Sequence, residues 1–169
     1  GTNLALTAAS IADRLRRGAD AADGSVGAVA RDAAEGAVLG ARGNCGMILS
    51  HFMLGFSDQV GSRPRLSVRE FSVALDGAVT HVYGALERPV EGTIISVMRA
   101  TAEEARSASR IADFAELLER LLERAKDALA RTPDFLPQLR AAGVVDAGAK
   151  GFVHLLEGMV SYMHGDPFI

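Results

Sequence analysis

The residues best placed to do chemistry lie in Gly40-Ala41-Arg42-Gly43-Asn44-Cys45-Gly46, a glycine-spaced turn that runs into the apolar Met47, Ile48 and Leu49. Glycine admits positive φ angles and lets a backbone approach a bound group with no Cβ in the way. A helix starting near Asn44 would present amide N–H groups that have no intrahelical partner, at the end where the helix dipole adds partial positive charge. Such a turn suits a phosphate or another anion. It also suits a plain interhelical turn with Asn44 as N-cap. Polar turns containing Gly1-Thr2-Asn3, Glu91-Gly92-Thr93 and Asp146-Ala147-Gly148 likewise precede apolar helical patterns. Together they point to helix N-termini gathered at one end of a bundle, where they could hold a nucleoside diphosphate or triphosphate.

Other chemistry-bearing residues fit poorer patterns. Gly143 to Gly151 nearly mimics a phosphate-binding P-loop, but Lys150 falls one position late, no Ser or Thr follows it, and both flanks read as helix. His81, His154 and His164 lack the paired spacing of metal-binding histidines. His51, among apolar neighbours, reads as a hydrogen-bonded structural residue rather than a catalyst. Asp20 and Asp23 sit in a loop without calcium-loop spacing and read as a solvated turn. Cys45 would gain acidity at a helix N-terminus, but neither a base nor a partner thiol is in view.

The elements that must position these residues are helices. Leu4, Leu6, Ile11 and Leu15 mark a first helix, capped by Thr2 or Asn3 and ending at Gly18. Val26 to Leu39 is alanine-rich, with Val29, Ala33, Ala37 and Val38 on one packing side. Ile48, Phe52 and Phe56 recur every four residues beside Leu49 and Met53. Ser67 and Glu70 form a capping box for Val68, Phe71, Leu75, Val79, Val82 and Leu86, a run that Arg88-Pro89 ends. Thr93, as cap or ligand, precedes Ile94, Val97, Met98, Thr101 and Ala105. Phe114 to Leu129 has the clearest apolar stripe, with a charged outer face. Thr132-Pro133 opens a short helix through Leu139, and Phe152 to Met163 forms the last one. The count is about seven helices and no strand, hence an all-α bundle.

A length of 169 residues suits one domain, residues 1–169, with a self-sufficient core. Hydrophobic residues at 49% and charged residues at 23% are globular proportions. A net charge of -3 and a pI near 5.8 give no reason to expect nucleic acid or an anionic membrane as partner. A single cysteine makes no internal disulfide, which points to the cytoplasm. No apolar run approaches the roughly 20 residues of a membrane span, and no basic-then-apolar signal pattern opens the sequence.

Read together, Gly1-Thr2-Asn3, Gly40 to Gly46, Pro89 to Ile94, Thr132-Pro133 and Gly143 to Gly148 resemble, in order, the nucleotide-binding domain of fatty acid kinase. That domain is related to the L subunit of dihydroxyacetone kinase. The resemblance implies an antiparallel α-helical barrel, usually of eight helices, that binds ATP or ADP at one end through magnesium ions. It also implies phosphoryl transfer to a fatty acid carboxylate presented by a separate fatty-acid-binding protein. Carried over, Thr2 and Asn3 would sit near the phosphates, Asn44 and Cys45 would hold phosphate oxygens, and Gly46 would belong to the same nucleotide-binding set. Gly92 and Thr93 would line the cleft, and Asp146, Ala147 and Gly148 would complete it. The family's magnesium-binding aspartates precede its Gly-Thr-Asn, so no metal ligand is expected in this chain, and a longer parent protein is. Any dimerising segment is expected outside it too.

Cys45 stands where the family usually has serine, a better donor, and Ala149 replaces a usual second glycine. No residue stands out as a general base, which an acceptor carboxylate, ionised at neutral pH, would not need. Two other readings are a dihydroxyacetone-kinase-like subunit acting on a small hydroxy ketone, whose hydroxyl would call for a base, and a helical module that binds ADP without catalysis.

Overall fold

The computed structural model describes residues 1–19 and 24–166. The loop reading of Asp20 and Asp23 lies outside the described residues. The protein is all-α, with nine helical segments and no strand among the described residues. These are α1 (Thr2–Gly18), α2 (Val26–Gly40), α3 (Gly43–Val60), α4 (Val68–Ala85), α5 (Ile94–Ser107), α6 (Phe114–Ala130), α7 (Thr132–Phe135), α8 (Pro137–Ala142) and α9 (Ala147–Met163). They divide into two compact units, Gly1–Glu87 and Arg88–Ile169.

In the first unit, α1 to α4 run alternately up and down. Ser10 meets Gly36 and Gly40, and Arg14 pairs with Asp32 and Glu35, so α1 and α2 are antiparallel. Glycines set how closely the helices approach. A Cβ on Gly27 would strike the Gly61 carbonyl, and one on Gly55 would strike Ala78 and His81. The valines of α2 face outward: Val29 is 41% and Val38 50% exposed, while Gly27, Ala30, Ala33, Ala34, Gly36 and Ala37 are buried. Of the expected packing side, Ala33 and Ala37 do face inward and the two valines do not, because only small side chains fit where α2 lies against its neighbours. The start of α2 is held by backbone rather than by Ser25: Val26 and Gly27 donate to the carbonyls of Pro64 and Arg63. The capping box of α4 forms as expected, with Ser67 Oγ accepting from Glu70 N and Glu70 Oε1 from Ser67 N.

In the second unit, Ile94, Ile95, Val97 and Met98 of α5, Leu117 and Leu121 of α6, and Phe152, Val153 and Leu156 of α9 are buried. The charged face of α6 carries Arg120, which pairs with Glu104 of α5 at 2.9 Å. The single short helix expected after Thr132 is two, α7 and α8. Leu136 is extended between them (φ −121°, ψ 103°), the geometry that a residue before proline prefers, and Pro137 follows.

Candidate functional site

The first unit brings two of the expected segments together. α1 begins at Thr2 with Gly1 as N-cap, and α3 begins at Gly43 with Arg42 as N-cap, neither with a side-chain cap bond. Thr2, Asn3 and Asn44 are therefore helical residues rather than caps, a correction to the reading from sequence. The reason is where helical bonding begins: Ala5 N donates to Gly1 O at 3.2 Å and Gly46 N to Arg42 O at 3.1 Å, so the caps fall on Gly1 and Arg42, while Gly43 itself has a φ of +63°. The Asn3 side chain lies directly over Gly43, where any Cβ would collide with its amide nitrogen. Thr2, Asn3 and Asn44 are exposed, Cys45 is half-buried and Gly46 is buried. Asn44 and Cys45 thus occupy the first turn of α3, where helix geometry aims backbone N–H groups outward.

Thr7 joins the two segments. Its hydroxyl lies 3.0 Å from the Asn3 carbonyl and 3.2 Å from the Gly40 carbonyl, and it accepts from Arg42 N at 3.3 Å. The reading from sequence missed this residue, although Thr7 follows Asn3 by one helical turn and so shares its face.

The second unit holds the remaining candidates at the starts of two helices. Gly92 has φ +84° and is buried, and Thr93 is the N-cap of α5 without a side-chain cap bond, its hydroxyl donating instead to Val90 O at 2.7 Å. The turn is braced by Glu91, which accepts both Arg99 Nη1 at 2.7 Å and Arg99 Nη2 at 2.9 Å. Ser96 Oγ donates to Glu91 and accepts from Gly92 N. This brace was not read from sequence, because Glu91 lies outside the helix that carries Ser96 and Arg99. Asp146 caps α9, its carboxylate accepting from Ala149 N at 2.9 Å, while Asp146 N donates to the buried Thr132 hydroxyl at 3.1 Å. Gly148 is buried and Ala147 exposed.

His51 does not take the hydrogen-bonded role expected of it: its Nδ1 is buried without a partner, and its ring lies 5.4 Å from that of His81. No group of three or more His, Cys, Asp or Glu among the described residues could hold a metal ion. No helix is long and apolar enough to cross a membrane among those residues.

The model of the DAK2 domain matches residues 1–161. Protein YloV of Bacillus subtilis is 36% identical over 167 residues, which cover 98% of this chain and 30% of that protein. An uncharacterised protein of Staphylococcus saprophyticus is 34% identical, and one of Staphylococcus aureus 32%, over the same shares of each chain. The chain therefore spans 30% of the length of these relatives. With a match over nearly its whole length, the chain belongs to the DAK2 domain family.

Proposed function

We propose that this chain is the nucleotide-binding part of an ATP-dependent phosphotransferase, which passes the γ-phosphoryl group of ATP to a fatty acid carboxylate held by a separate fatty-acid-binding protein. The observation that carries the reading is the DAK2 match over residues 1–161, which takes in Gly1-Thr2-Asn3, Asn44-Cys45-Gly46, Gly92-Thr93 and Asp146-Ala147-Gly148. In the first unit the support is the start of α3. Gly43 at positive φ leaves no side chain beside Asn3, and the first amides of the helix suit phosphate oxygens. Cys45 is a weaker donor than a serine, so backbone N–H groups carry most of that contact. In the second unit, Gly92, Thr93, Asp146, Ala147 and Gly148 are assigned to the nucleotide on the resemblance of their motifs.

An acceptor carboxylate is already ionised at neutral pH and needs no general base from this chain. Among the described residues no group of three or more His, Cys, Asp or Glu could hold a metal ion such as magnesium, and the Asp146 carboxylate is engaged as a helix cap. None of these residues is assigned to it. A cytoplasmic location agrees with the single cysteine.

Calorimetric titration with ADP tests the reading, run with and without magnesium. Saturable binding that weakens in Asn44→Ala is expected. No binding by the purified full-length protein would overturn it.

A further inference from the structure

We propose that Thr7 is a positioning residue for the phosphate site of the first unit, fixing Gly1–Asn3 against Gly40–Gly46 through one buried hydroxyl; this rests on the nucleotide-binding reading above. Thr7 is fully buried, at 0% exposure, in a helix whose neighbouring Leu6 is 52% exposed. A lone threonine in such a place is ordinarily satisfied by the carbonyl four residues back, and Thr7 has that option at Asn3 O. Its hydroxyl does more. It shares its proton with the Gly40 carbonyl at the end of α2 and accepts from Arg42 N, the residue that caps α3.

Close packing completes the clamp. A Cβ on Gly46 would lie 2.5 Å from Thr7 Oγ1, so the first turn of α3 rests directly on the hydroxyl. The same segment meets α1 again at Gly43, which accepts no side chain beneath Asn3. One hydroxyl thus touches the turn of α1 that carries Asn3, the last carbonyl of α2 and the cap of α3. Its removal leaves the helices packed through Ser10 and Arg14 but frees the direction in which the α3 amides point. A displacement of that kind weakens binding by loss of alignment, without touching the ligand.

The test compares Thr7→Val, which keeps the shape and removes the hydroxyl, with Thr7→Ser, which keeps the hydroxyl. ADP affinity and melting temperature are measured on the full-length protein. Val79→Ala, in the core of α4, serves as the control for plain loss of stability. Thr7→Val is expected to weaken ADP binding about tenfold, the scale of one or two net hydrogen bonds, with Thr7→Ser within about twofold of the parent. Val79→Ala is expected to lower the melting temperature and leave ADP affinity in place. If Thr7→Val does not fold, Thr7→Cys is read in the same way, since a thiol is a weak donor and acceptor. Parent-like affinity in the folded hydroxyl-free variant overturns the proposal and spares the nucleotide reading, as does an equal loss in Val79→Ala. Absence of ADP binding in the parent overturns both.

Discussion

Gly92 concentrates in one residue the constraints that shape the second unit. Its φ of +84° is rarely adopted by L side chains, and a Cβ there would come within 2.8 Å of Phe135 Cβ and 2.9 Å of the Thr132 carbonyl. The Thr132 carbonyl belongs to backbone that cannot swing aside. Gly92→Ala is therefore expected to destabilise the protein by about 1–3 kcal/mol, the usual cost of a residue forced into such a conformation, read as a lower urea midpoint with unchanged m-value. A midpoint equal to the parent's would mean that the turn relaxes freely. A glycine before a capping threonine is visible in sequence, but its contact with Phe135 is not, because the residues that crowd it lie some forty positions later. Thr7 was hidden for a related reason. Leu4, Leu6, Ile11 and Leu15 suggested an apolar face, yet the face turned inward at Thr7 meets the polar backbone of Gly40 and Arg42, which only a hydroxyl satisfies.

Helix ends were legible where the signal is local and obscure where it is not. Ser67 and Glu70 stand three apart, so the capping box of α4 follows from spacing alone. Its hydrogen bonds from Ser67, backbone first and then side chain, hold the Glu70 carboxyl below its usual value of 4.5, with Arg63 adding to the effect. A depressed carboxylate gives stability that is present in full above the ordinary carboxylate range and is lost as pH falls through the folded value. Glu70→Gln should accordingly melt below the parent at neutral pH and converge with it in acid. A gap that stays constant with pH would show that the charge plays no part. Asp146 combines capping with a candidate site, and the two roles separate by substitution. Asp146→Asn keeps an N-cap oxygen for Ala149 N and should melt close to the parent, whereas Asp146→Ala should cost about 1 kcal/mol. Equal melting of the two would remove the cap from the account of α9. By contrast, Asn44 falls inside α3 rather than at its cap because helical bonding begins with Gly46 N donating to Arg42 O, a backbone contact that no side-chain pattern records.

For the molecule as a whole, periodicity alone sufficed to establish an all-α chain, since five of its helices carry apolar residues at spacings of three and four over 14 or more residues. The division at Glu87 was not legible, because no glycine- or serine-rich linker marks it. Arg88-Pro89 reads equally well as the end of a helix and as the boundary of a unit. Length favours one domain, yet residues 1–87 contain a layered apolar interior of their own. Ala30, Val60 and Ala74 pack with Val26, Phe56 and Leu66, and the Phe56 and Phe71 rings meet edge to face at 5.8 Å. The antiparallel pairing of α1 with α2, α2 with α3 and α3 with α4 is closed within this segment. A fragment of that length can bury enough surface to fold without a disulfide or metal. Residues 1–87, expressed alone, should therefore give a helical circular dichroism spectrum and a cooperative thermal transition. A broad, non-cooperative melt would instead mean that α1 to α4 depend on the remaining helices for their core, and that residues 1–169 act as one domain.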